Sequence, residues 1–129
     1  MAERSWCRIE FAAKDREKVL KTLGCEPDEI GERFLELHES TGGGAGEQDA
    51  LDGARICYIA KWDGYNGSYA AGIRYVNSRR GVSFATNDQS GYLPMVAVGE
   101  NLTMDPHTLA AFVNDLRVAR RVRSYIDNN

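Results

Sequence analysis

The sequence predicts an α+β fold: a single antiparallel sheet of four to five strands, arranged as a meander, with two or three helices packed on one face. Three observations carry this. The last quarter of the chain repeats apolar residues at the helical period. The middle alternates at the two-residue period of strands. The turns between those strands are too short for a parallel crossover, so neighbours must run antiparallel.

The first strand is Ser5–Phe11. Cys7, Ile9 and Phe11 share one face and Arg8 and Glu10 the other, the pattern of a half-buried strand. A helix is predicted from about Lys14 to Leu23, with Val19, Leu20 and Leu23 inward and Gly24 as its stop. Residues 26–39 admit two assignments. Pro27-Asp28-Glu29 resembles a helix start, and Ile30, Phe34, Leu37 and His38 can share a helical face, whereas Arg33–Glu39 also fits an edge strand. The helix is preferred, because acids in a first turn complement the helix dipole. Residues 40–53 hold four glycines between Gly42 and Gly46 and are expected to form a flexible connection.

From Ala54 to Trp62 the chain is nearly all apolar, which suits a central strand. Asp63-Gly64 and Asn66-Gly67 are hairpin-turn dipeptides. Tyr69, Ala71, Ile73 and Tyr75 alternate in the return strand, and Asn77–Gly81 turns again. Val82, Phe84 and Thr86 mark a third strand of this run. Tyr92–Val98 marks a fourth, with Pro94 at an edge position. The firmest element is the C-terminal helix. Asp105 is placed to cap it, Pro106 suits its first position, and Leu109, Phe112, Val113, Leu116, Ala119, Val122 and Ile126 form its stripe. Arg117, Arg120 and Arg121 fall outside that stripe and predict a basic knob at its far end.

At 129 residues the chain fits one domain, residues 1–129, with enough length to bury a core without staples. No apolar run reaches the ~20 residues of a membrane span. The start lacks the basic and apolar regions of a signal peptide, so a cytoplasmic location, in a cell or an infected host, is expected. Cys7, Cys25 and Cys57 are widely spaced, without a CxxC or a zinc pattern. No cofactor or metal is expected.

The net charge of −3 is unevenly spread. Residues 1–53 carry 13 acids against 7 bases, and residues 54–129 carry 6 against 9. The acids gather at Glu26, Asp28, Glu29, Glu32, Glu36 and Glu39. Such segregation steers partners or simply solvates a surface.

Signatures of catalysis are missing. The glycine run is followed by Glu47-Gln48 where a phosphate loop needs Lys and Ser/Thr. There is no G-x-S-x-G or H-E-x-x-H. His107 sits in a first helical turn and His38 among carboxylates, where it serves equally well as an ion-pair partner. Direct nucleic-acid binding is disfavoured by the acidic balance and the lack of RNP-type motifs.

The chain is therefore expected to be a non-catalytic interaction protein, an inhibitor or modulator. It is similar in general style to compact bacterial and phage inhibitors and immunity-type proteins that act by binding. Its expected contacts are an aromatic turn of Trp62 and Tyr65 flanked by Arg79 and Arg80, and an acidic patch of Glu29, Glu32 and Glu36. Trp, Tyr and Arg dominate binding hot spots. The patch would suit a basic groove, such as that of a nucleic-acid-binding protein. A homodimer fits the same surfaces. The second reading is a small-ligand or nucleotide-binding protein with a cleft lidded by 40–53; a small enzyme is third.

Overall fold

The computed structural model describes residues 4–64, 71–78, 80–85 and 105–129. The chain runs β1 (Arg4–Phe11), a 3-10 turn (Ala13–Asp15), α1 (Arg16–Leu23), β2 (Glu29–Ile30), β3 (Phe34–Thr41), α2 (Ala45–Gly53), β4 (Tyr58–Trp62), β5 (Gly72–Asn77), β6 (Arg80–Ala85) and α3 (Pro106–Asn128). The six described strands join one sheet in the order β2-β3-β1-β4-β5-β6, and every neighbouring pair is antiparallel. The α+β class, the antiparallel sheet and the long C-terminal helix are as expected. The expected strand Tyr92–Val98, Pro94 and the linker 99–104 lie outside the described residues.

Residues 26–39 correct the preferred helix. They supply β2 and most of β3. The register pairs Leu35 with Ile9 and Leu37 with Cys7, so the alternation of Leu35 and Leu37 matches the pleat of a strand already half-buried. Tertiary pairing outweighs the local helix-start signal here. Within 40–53, the chain finishes β3, turns through Gly42, Gly43 and Gly44 at φ 60°, 71° and 79°, and enters α2. Three successive left-handed residues are accessible without strain only to glycine. A Cβ on Gly43 would lie 2.8 Å from the Trp62 ring, and one on Gly44 2.7 Å from Cys7 Sγ.

The helices do not share one face, as the sequence suggested; they divide between two. On the first face α1 and α2 cover Cys7, Ile9, Phe11, Leu35, Leu37, Tyr58, Ala60 and Val76, with Val19, Leu51 and Ile56 completing the core. On the second face Val118, Ala119, Val122 and Ile126 of α3 pack on Ile59, Ile73 and Val82. Period-2 alternation explains the division: Tyr58 and Ile59 are neighbours in sequence, both fully buried, and must point to opposite faces. A strand buried on both sides needs cover on both.

Helix α3 begins as expected. Asp105 accepts from the Thr108 backbone N–H at 2.9 Å, and Pro106 takes the first position. Its apolar stripe is only half used. Leu109 is 44% exposed and Val113 37%, whereas Val122 and Ile126 are buried. The 23 residues of α3 span ~34 Å at 1.5 Å each, and strands of five or six residues reach ~20 Å. The helix is longer than the described strands beneath it. At its docked end Tyr125 donates to Asp15 at 2.9 Å, and Lys14 lies 5.0 Å over the Tyr125 ring. Arg117, Arg120 and Arg121 are exposed.

Candidate functional site

Because α3 lies over β4, β5 and β6, the β1-β3-β2 half of the second face has no helix over it among the described residues. The side chains there come from alternate positions of β1 and β3. Trp6 donates from its indole nitrogen to Glu36 Oε1 at 2.9 Å. Arg8 donates to Glu36 Oε2 at 2.9 Å, and its guanidinium stacks 4.1 Å from the centre of the Phe34 ring. Both oxygens of Glu36 are thus held, one by an indole N–H and one by a cation, and Glu36 is mostly buried at 15% side-chain exposure. Charge-assisted bonds of this kind fix a carboxylate more firmly than neutral ones. Phe34 in turn rests against the backbone of Gly31, where a Cβ would overlap its ring.

A β-bulge sits beside this cluster. Ser5 pairs with Ser40 but Cys7 with Leu37, so His38 and Glu39 together oppose the single residue Trp6. Bulges re-aim side chains and change which face later residues meet. Ser40 consequently turns into the core, and His38 stays out at 53% side-chain exposure, with Nε2 3.9 Å from Glu36 Oε1. Directly across the ladder, Glu29 of β2 pairs with Glu36. Ligand-type atoms of Glu29, Glu36 and His38 lie within 4.8 Å of one another.

The border of this half-face with α3 is ionic. Glu10 meets Arg123 at 3.2 Å and Lys61 at 3.2 Å, and Arg123 also pairs with Asp127 at 2.9 Å.

A second region lies on the first face, beside the glycine turn. Tyr58 donates to Asp52 Oδ1 at 2.6 Å. Arg74 reaches Asp52 Oδ2 at 3.0 Å and the Tyr58 hydroxyl at 2.8 Å. Burial, with the Asp52 hydrogen bond, pushes the Tyr58 phenol well above its ordinary value and outweighs the opposing Arg74 charge; it stays neutral. Next to this network is a cleft of about 430 Å³, walled by Trp62, Ala45, Gln48, Asp49, Asp52 and Arg74. On the other side of the same turn a cleft of about 710 Å³ is lined by Leu23, Cys25, Glu39, Thr41, Ala45 and Glu47, among others.

The expected site residues fall as follows. Glu29 and Glu36 do share one surface; Glu32 is exposed in the adjoining β2–β3 turn. Trp62 is half-buried beside Gly43 and the α2 cleft, on the opposite face from Glu29 and Glu36. It is not a rigidly displayed turn residue, because its position at the end of β4 faces α2. Arg80 is exposed at the start of β6, on the far edge of the sheet. Tyr65 and Arg79 lie outside the described residues. Sequence reasoning missed Trp6, Arg8 and Phe34. The signal was available for the first two: they share the parity opposite Cys7, Ile9 and Phe11, so they had to occupy the other face. Phe34 could not be placed while 26–39 was read as helix.

Neither histidine hydrogen-bonds to a serine or cysteine among the described residues, so no nucleophile–base pair is assembled there. Cys7 is fully buried; burial, with the Glu47 charge, pushes its thiol up to about 12, which makes it unreactive. No described helix is long and apolar enough to cross a membrane. No family model, curated protein or solved structure matches the chain.

Proposed function

We propose that this is a non-catalytic protein-binding module, an inhibitor or modulator, whose recognition surface is the β1-β3-β2 half of the second sheet face. One observation supports the reading above others. Trp6, Arg8, Phe34 and Glu36 form a connected aromatic and charged cluster on strands, on a half-face with no described helix over it. Trp and Arg anchor most binding hot spots, and strands hold them with little entropy left to lose. Around the cluster stand Glu29, Glu32 and His38. The chemistry that fits is a protein partner offering an apolar pocket ringed by Lys and Arg.

The test is affinity purification of partners from the source organism with the wild-type chain, followed by titration of the purified partner against Phe34→Ala and His38→Ala chains shown to be folded by circular dichroism. The expected result for Phe34→Ala is a loss of tenfold or more, ~1.4 kcal/mol. Equal affinity for wild type and both variants would rule out this face.

The cleft between Trp62, Asp52 and Arg74 favours a second reading, a small-ligand-binding protein, because an aromatic wall beside fixed polar groups is how ligand pockets orient their occupants. A nucleotide or other polar ligand that raises the melting temperature in wild type but not in Trp62→Ala would favour it.

A further inference from the structure

We infer that Glu29, Glu36 and His38 form a binding site for a divalent transition-metal ion of the zinc class. Three donors of two chemical kinds, two carboxylates and one imidazole, lie within 4.8 Å of one another. Around a zinc ion with bonds of ~2.1 Å, tetrahedral ligands stand ~3.4 Å apart. Glu29 and His38 are exposed side chains, and a change of rotamer in them is the movement that metal binding would require.

The backbone arrangement is what places the donors together. Glu29 and Glu36 are register partners on adjacent antiparallel strands, so both carboxylates leave the sheet on the same side. His38 follows Glu36 by two residues on that side, at the bulge opposite Trp6. The central ligand is also pre-oriented. Arg8 holds Glu36 Oε2 and Trp6 holds Oε1, and an oxygen that accepts one N–H keeps a second lone pair for a metal. Hydrogen-bonded carboxylate ligands of this kind are a regular feature of metal centres.

Two further observations point to a cation rather than to a solvated surface. Like charges directly opposite across a ladder repel, and the one described counter-charge at the pair, Arg8, is spent on Glu36 alone. The Glu29 carboxylate makes no ion pair or hydrogen bond among the described residues. The imidazole of His38 likewise makes no hydrogen bond among the described residues and stands 3.9 Å from Glu36 Oε1. A metal would join all three and leave a fourth position open for water or for a side chain of a partner.

The donor set selects the ion. Imidazole suits zinc, nickel, copper and iron, whereas magnesium and calcium take oxygen donors and larger coordination numbers. Zinc is the ion most consistent with three protein ligands and an open fourth position.

The measurement uses the protein alone, so its outcome is independent of whether a protein partner exists. Zn²⁺ is titrated calorimetrically into the wild-type chain and into Glu29→Gln, His38→Ala and Cys25→Ser, and Co²⁺ is added to report coordination by its visible spectrum. The first two variants alter exposed side chains with no other described partner, so their folds are retained. The expected result is one equivalent of Zn²⁺, affinity reduced tenfold or more in Glu29→Gln and in His38→Ala, no change in Cys25→Ser, and Mg²⁺ at least tenfold weaker. A Zn²⁺ affinity that His38→Ala leaves unaltered, binding that vanishes only in Cys25→Ser, or the lack of any Zn²⁺ binding would overturn the inference.

Discussion

The second face of the sheet is built in two ways. Over β4, β5 and β6 it is apolar: Ile59, Ile73 and Val82 pack with Val118, Val122 and Ile126. Over β1, β3 and β2 it is aromatic and charged: Trp6, Arg8, Phe34, Glu36 and His38. The same pleat thus produces a core in one half and a dressed surface in the other. Among the described residues, the half without a helix over it is thus lined by aromatic and charged groups rather than by an apolar stripe. Its two mostly buried carboxylates both have partners, Glu36 in Trp6 and Arg8 and Glu10 in Lys61 and Arg123, as buried polar groups require. The Glu10–Arg123–Lys61 ion pairs mark the seam between the two halves.

The sharpest way to break this contrast is to cut a side chain in the covered half. Ile126 is fully buried at the docked end of α3. Ile126→Ala removes three carbons from a packed site and should lower stability by ~2–5 kcal/mol. The melting temperature should fall by roughly 10 °C or more. His38→Ala, in the uncovered half, should stay within about 0.5 kcal/mol of wild type. Comparable losses from the two variants would mean that the uncovered half is core after all.

The two faces share one property, an acid whose pKa is raised by burial, and pH exposes it. The Cys7 thiol lies on the first face and is held up to about 12, chiefly by burial. Tyr125, at the docked end of α3, is also pushed up to about 12, by burial and then by its hydrogen bond to Asp15. A group whose folded pKa exceeds its unfolded one binds its proton more tightly when folded. Its contribution is complete below the unfolded value, near 9 for the thiol and 10 for the phenol, and is lost as pH climbs through the folded value. Stability should therefore decline from about pH 9 towards 12. Urea midpoints measured across that range should fall less steeply for Cys7→Ala than for wild type. Parallel slopes would show that the thiol is already solvated.

Much of the architecture could be read from the residues, and the failures are instructive. The alternation of Cys7, Ile9 and Phe11 and the Asp105-Pro106 start of α3 are local signals, and they appear in the fold as expected. The number of helical layers was not legible, because Tyr58–Ile59–Ala60 is apolar on both parities and a continuous apolar run does not say where each covering helix lies in sequence. The assignment of 26–39 failed where a strand's identity depended on pairing with β1, a contact 28 residues away between Arg8 and Glu36. The site depended on that same pairing. Glu29 and Glu36 were visible as acids, but only the register of β2 with β3 makes them opposite, and only the bulge brings His38 beside them.

The smallest effect is also the most specific to this surface. Glu29 stands opposite Glu36 without a counter-charge of its own among the described residues, and like charges across a ladder repel. Glu29→Gln removes that repulsion and keeps the shape. In metal-free buffer the variant should be unchanged or more stable by a few tenths of a kcal/mol, within the usual ±0.5 of surface changes. The gain should shrink as salt rises, because screening weakens the repulsion it relieves. A loss above about 1 kcal/mol, far outside that surface range, would make Glu29 a structural partner of the strand pair. The same carboxylate cannot be both strain in the empty protein and an anchor of its fold, so the sign of this one measurement decides which description of the uncovered half is correct.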